Sequence, residues 1–125
     1  LWHKEMLATW VVLSRPSWYS FSQGPGVLFN RGTALEYGRR SSIVDILEAQ
    51  EKTCMIIRDV LGNSEQCSPD LEAMQAACRE AGNLDFIVMQ SALEGYAIAE
   101  WSFTHPDLQT AMTFRLYDCK RLVGG

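Results

Sequence analysis

Residues able to do chemistry are few in this chain, and they are widely spaced. The four cysteines are Cys54, Cys67, Cys78 and Cys119. A thiolate can attack a substrate, ligate a metal or form a disulfide, and spacing is the first guide to which. No two are set as Cys-x-x-Cys, so neither a thioredoxin-like redox pair nor a zinc knuckle is indicated. His3 and His105 are the only imidazoles, which makes a tetrahedral zinc site improbable. Three readings stand: buried structural thiols, disulfides that staple helices, or a reactive thiol. Four cysteines allow three pairings, and sequence does not choose among them. In an antiparallel hairpin of the first two helices, Cys54 and Cys78 lie about equally far from the turn near Glu65, leaving Cys67 and Cys119.

The remaining candidates are weaker. His105 precedes Pro106 and reads as a helix cap, and His3 lies near the chain end. No nucleophile elbow supports a Ser-His-Asp arrangement. The glycine-rich stretch Ser22 to Gly26 has no following Gly-Lys-Ser/Thr, so a phosphate loop is not indicated. Glu94 and Glu100 read as surface acids of a helical segment. Arg39 and Arg40, and Arg115, Lys120 and Arg121, are small basic clusters that suit solvent, an acidic partner or a lipid head group. These observations predict no catalytic residues, no metal and no cofactor.

The chain has 125 residues, the length of one domain, and a net charge of −4 that disfavours a nucleic-acid binder. Its acidity is concentrated: residues 51–104 carry nine acidic and three basic side chains. No apolar run approaches the roughly 18 residues of a membrane helix, since Met6 to Leu13 is followed by Arg15 and Pro16. No Asn-x-Ser/Thr sequon occurs at Asn30, Asn63 or Asn83. The chain opens on Leu1, so a removed leader or a fragment is expected, and a processed organellar protein fits.

Two regions follow from the punctuation. Residues 1–40 hold Trp2, Trp10 and Trp18, a Gly24-Pro25-Gly26 turn and interrupting glycines at 32 and 38. They read as an extended arm, too aromatic to be a solvated tail. Residues 41–125 read as a helical domain. Ser42 and Asp45 resemble a capping box ahead of apolar positions 43, 46, 47, 54, 57, 60 and 61, with Gly62 as the stop. Ser68-Pro69-Asp70 opens a second helix whose inner face is Leu71, Met74, Cys78 and Ala81, ended by Gly82. Phe86, Met89, Leu93, Tyr96 and Ala97 suggest a third, although residues 96–103 also alternate as a strand would. His105-Pro106-Asp107-Leu108 suggests a fourth that runs to about Leu122. The expected fold is mainly α, a small bundle of three to four helices behind an irregular aromatic arm.

The spacing of Cys67 and Cys78, with Cys54 upstream, is similar to that of the coiled-coil-helix-coiled-coil-helix proteins of the mitochondrial intermembrane space. Those carry two cysteines on each of two antiparallel helices. The resemblance covers residues 54–78 and implies a disulfide-stapled helical hairpin in an oxidising compartment. The chain departs from the pattern, because Cys67 would serve two spacings and Cys119 has no place in it.

The function expected from all this is a non-catalytic accessory subunit of a larger protein assembly, organellar and most simply mitochondrial, with secretion as the alternative. Its partners would be other protein subunits, with peripheral lipid contact as an addition. Trp2, Trp10, Trp18, Tyr19 and Phe21, with Arg39 and Arg40, would anchor it to a neighbour, aromatic and arginine side chains being favoured at interfaces. The alternative is a small helical carrier whose arm closes a pocket for an apolar ligand, lined by Met74, Phe86, Met89 and Tyr96.

Overall fold

The computed structural model describes residues 1, 11, 14–61, 70–104, 106, 107, 109 and 111–124; at 22, 23, 26, 27, 54, 55, 57–59 and 61 it describes the backbone alone. A 3₁₀ helix, Phe21–Leu28, precedes the long helix α1, Arg31–Leu61. Helix α2 is Leu71–Ala81, followed by strands β1 (Phe86–Met89), β2 (Ala97–Thr104) and β3 (Ala111–Asp118), and by a short helix α3, Cys119–Gly124. The strands form one antiparallel sheet in the order β1-β3-β2.

The sheet corrects the expected helical bundle. Residues 86–97 and 111–118 do satisfy a helical template. Yet Phe86-Ile87-Val88-Met89 is a short run rich in branched and aromatic side chains, which pack better on a pleated surface. In β3, Met112, Phe114 and Leu116 alternate with Thr113, Arg115 and Tyr117, a period of two. Cross-strand register then decides between the templates: Ile87 lies opposite Tyr117, and Trp101 opposite Phe114. Only the six residues from Cys119 realise the expected fourth helix. The strand alternative for 96–103 corresponds to β2.

Helix α1 is 31 residues and therefore about 46 Å long, starting well before Ser42. Asn30 opens it: its Oδ1 accepts from the Thr33 N–H at 3.1 Å, and its carbonyl accepts from the Ala34 N–H at 3.0 Å. Ser42 is an interior residue that donates its hydroxyl to the Gly38 carbonyl at 3.0 Å. The helix thus crosses position 40, where the arm was expected to end. At α2 the sequence reading and the structure coincide more closely. Asp70 accepts from the Glu72 N–H at 3.0 Å, and Gly82, at φ +71°, ends the helix in the left-handed region that glycine favours.

The core lies between the helices and one face of the sheet. Ile43, Val44 and Leu47 of α1 meet Met74, Ala77, Cys78 and Ala81 of α2, with Ile87, Met89, Tyr117 and Leu122 beneath them. Tyr117 is fully buried; its hydroxyl donates to the Ser91 carbonyl at 2.7 Å and accepts from the Leu93 N–H at 2.9 Å. Burial pushes that hydroxyl's pKa above the ordinary tyrosine value. The other sheet face carries a second apolar cluster, Val88 and Phe114 with Trp101, Met112 and Leu116. Leu1 is buried beside β1, where its carbonyl accepts from the Val88 N–H at 2.8 Å and its nitrogen donates to the Phe86 carbonyl.

A disulfide joins Cys78 of α2 to Cys119 at the start of α3, closing a loop of sequence separation 41. This replaces the hairpin pairing of Cys78 with Cys54. The bond engages the one cysteine for which the intermembrane-space resemblance has no place. Cys67 and the Cys54 side chain lie outside the described residues.

Candidate functional site

Two features converge where the arm meets α1. The first is an inward cluster of aromatic rings and arginines. Trp18 and Tyr19 are buried. The Trp18 indole N–H donates to Asn83 Oδ1 at 2.8 Å, and the Arg40 guanidinium stands 5.0 Å from the Trp18 ring centroid. Arg40 also donates to the Trp18 carbonyl at 2.6 Å and to Glu36 at 2.7 Å. Glu36 in addition accepts two bonds from Arg39, at 2.9 and 2.8 Å. These charge-assisted bonds from Arg39 and Arg40 hold its pKa at about 2. Arg39 spends another N–H on the Glu80 carbonyl of α2 at 2.8 Å. The Tyr19 hydroxyl meets those of Tyr37 and Ser41, each at 3.2 Å. Its hydrogen bond, followed by burial, pushes the Tyr37 pKa up to about 12.

Trp18, Tyr19, Glu36, Tyr37 and Arg40, with Gly32 and Thr33, line an open cleft of about 450 Å³. Its polar groups are bonded to one another, so the cluster acts as a clamp that fastens residues 18–19 to α1 and, through Arg39, α1 to α2. Four of the side chains expected to grip a neighbour, Trp18, Tyr19, Arg39 and Arg40, are therefore engaged within the chain. Trp2 and Trp10 lie outside the described residues.

The second feature faces outward. Phe21 alone of the described aromatic candidates is exposed, and it has company that sequence reasoning passed over. Leu28 and Phe29 follow it, Phe29 being 85 % exposed. Leu35, Ile46, Ile56 and Val60 are exposed apolar side chains of α1, with Ile46 at 54 % and Val60 at 75 % exposure. The signal was present in the spacing. Positions 35, 42, 49 and 56, and positions 39, 46, 53 and 60, step by seven and so share one side of a helix. The two hydroxyls in that series are bonded within the helix, Ser42 to Gly38 and Thr53 to the Ala49 carbonyl at 2.9 Å.

The other nominated residues have local roles. Glu100 accepts from Arg115 across the β2–β3 pair at 2.8 Å, and Arg121 donates to the Gly95 carbonyl at 3.4 Å. Met74 and Met89 are core residues, Tyr96 is partly buried against that core, and Phe86 lies under the Arg15 guanidinium. Glu51, not foreseen, is a buried acid whose Oε1 accepts from the Gln90 N–H at 2.7 Å and ties α1 to the end of β1. His3 and His105 lie outside the described residues. Among the described residues no group of three or more metal-ligating side chains converges, and no helix is long and apolar enough to cross a membrane. Comparison of the chain with protein-family models, with curated proteins and with solved structures finds no match.

Proposed function

We propose that this chain is a non-catalytic assembly module that docks onto another protein through the apolar surface running from the 3₁₀ helix along α1. The observation that carries this reading is the set of exposed large apolar side chains Phe21, Leu28, Phe29, Leu35, Ile46, Ile56 and Val60. Scattered apolar side chains are normal on a surface, but the four on α1 fall on one side of the helix, which favours a contact site. The clamp at Trp18, Tyr19 and Arg40 supports it, because a surface fixed to the body costs less ordering entropy on binding than a loose arm. The Cys78–Cys119 disulfide accords with an oxidising compartment, the intermembrane space or the cell exterior.

A photo-crosslinking amino acid at position 29, introduced in the source cell, tests the reading. We expect a discrete, near-stoichiometric protein adduct that a matched probe at exposed Glu48 does not give. Adducts with lipid alone, or no enrichment over the control, would remove the basis for the proposal.

A further inference from the structure

The outer side of α1 carries enough pattern to name an occupant. We propose that, within the assembly role just described and resting on it, α1 pairs with α1 of a second copy of this chain as an antiparallel coiled coil. The residues at core positions of the heptad pattern are Leu35, Arg39, Ser42, Ile46, Ala49, Thr53, Ile56 and Val60. Reversing this series against itself gives a closed set of partners. Leu35 faces Val60 of the second copy, Arg39 faces Ile56, Ser42 faces Thr53, and Ile46 faces Ala49. The two-fold axis falls between positions 47 and 48, within about two residues of the middle of α1, so the pairing uses nearly the whole helix.

Charge fits the same register. Asp45 and Lys52 flank the apolar series on one side, both exposed and seven residues apart. The reversed pairing sets Asp45 beside Lys52 of the second copy, and by symmetry Lys52 beside Asp45, which gives two opposite-charge pairs. A register moved by one heptad in the direction that centres on Lys52 would oppose two lysines instead. The polar residues within the series do not obstruct packing. Ser42 and Thr53 have their hydroxyls on their own helix, and the Arg39 guanidinium is drawn off by Glu36 and by the Glu80 carbonyl of α2. The inner face of α1 is already filled by the chain's own core, so the second copy has one side of the helix to use.

The test is sedimentation velocity of the full, oxidised chain from about 1 to 100 µM, a range across which a modest dimer forms. The native chain is expected to dimerise. Asp45→Lys and Lys52→Asp should each raise the dissociation constant about tenfold, because both symmetric contacts turn repulsive. The combined Asp45→Lys/Lys52→Asp chain should return to within about twofold of the native value. Ile46→Glu should abolish the dimer. Circular dichroism melts of dilute samples keep these outcomes separate from misfolding, since all three positions are exposed. A chain that stays monomeric throughout overturns the proposal, and so does a dimer indifferent to both charge changes. A monomer that cosediments with anionic vesicles would assign the stripe to lipid instead. In any of these cases a protein adduct from position 29 would still uphold the assembly role; its absence would remove both.

Discussion

Helix α1 has two sides built from the same residue types with opposite fates. On one side Ile43, Val44 and Leu47 are buried against α2 and the sheet. On the other, Leu35, Ile46, Ile56 and Val60 face out. Leu47 is 1 % exposed and its neighbour Ile46 is 54 % exposed. Hydrophobicity alone therefore does not say which side serves the fold. The difference lies in what the rest of the chain supplies. The sheet and α2 cover one arc of the helix, and the clamp at Trp18 and Arg40 pulls residues 18–19 onto that same arc rather than over the outer stripe. The comparison teaches that one amphipathic period can hold two surfaces, one for folding and one for contact.

The comparison breaks most visibly if inner and outer substitutions cost the same. Leu47→Ala should lower the unfolding free energy by about 2–5 kcal/mol, read from urea denaturation, because it opens a cavity among Ile43, Met74 and their neighbours. Reducing the Cys78–Cys119 disulfide should cost about 2–4 kcal/mol by freeing a loop of sequence separation 41 in the unfolded chain. That loss should appear as a lower denaturation midpoint in samples alkylated after reduction. Tyr117→Phe should cost about 1–3 kcal/mol, since it strands the Ser91 carbonyl and the Leu93 N–H in the interior. Ile46→Ala, by contrast, should stay within about 0.5 kcal/mol in dilute monomer.

The smallest effect is a pH dependence at the clamp. Glu36 has a folded-state pKa of about 2, below its ordinary value of 4.5. A depressed carboxyl pKa contributes stability that is fully present above the unfolded value and is lost as pH falls through the folded one. The native chain should therefore weaken between about pH 4.5 and pH 2, and Glu36→Gln should flatten that part of the denaturation-midpoint profile. An unchanged profile would mean that Arg39 and Arg40 do not hold Glu36 in solution.

What was legible in the sequence follows the range of the forces involved. Helix α2 could be read because its stop and its inner residues Met74, Cys78 and Ala81 are local signals, although its cap is Asp70 rather than the expected Ser68. The start of α1 was missed because Gly32 and Gly38 read as breaks, whereas Asn30 caps the helix ahead of them and tertiary contacts carry it through both. The sheet was missed because β1 and β3 are defined by partners about 30 residues apart, and a short apolar run fits either period until its partner is known. Apolar positions 43, 46, 47 and 60 were read as one face, and only the packing separates 43 and 47 from 46 and 60. At the candidate site, residue type nominated Phe21, which is exposed, together with Trp18 and Tyr19, and it could not show that the latter two turn inward. Of the seven-residue step along α1, positions 46 and 60 were read into the expected core, Leu35 fell within the expected arm, and Ile56 was not placed on the apolar face.

The most direct measurement takes one variant through two experiments. Ile46→Glu should unfold in urea within about 0.5 kcal/mol of the native chain when both are dilute and monomeric, while its self-association at high concentration disappears. A loss of about 2 kcal/mol or more in the dilute monomer would place Ile46 in the fold's own core and contradict the division of α1 into a folding side and a contact side.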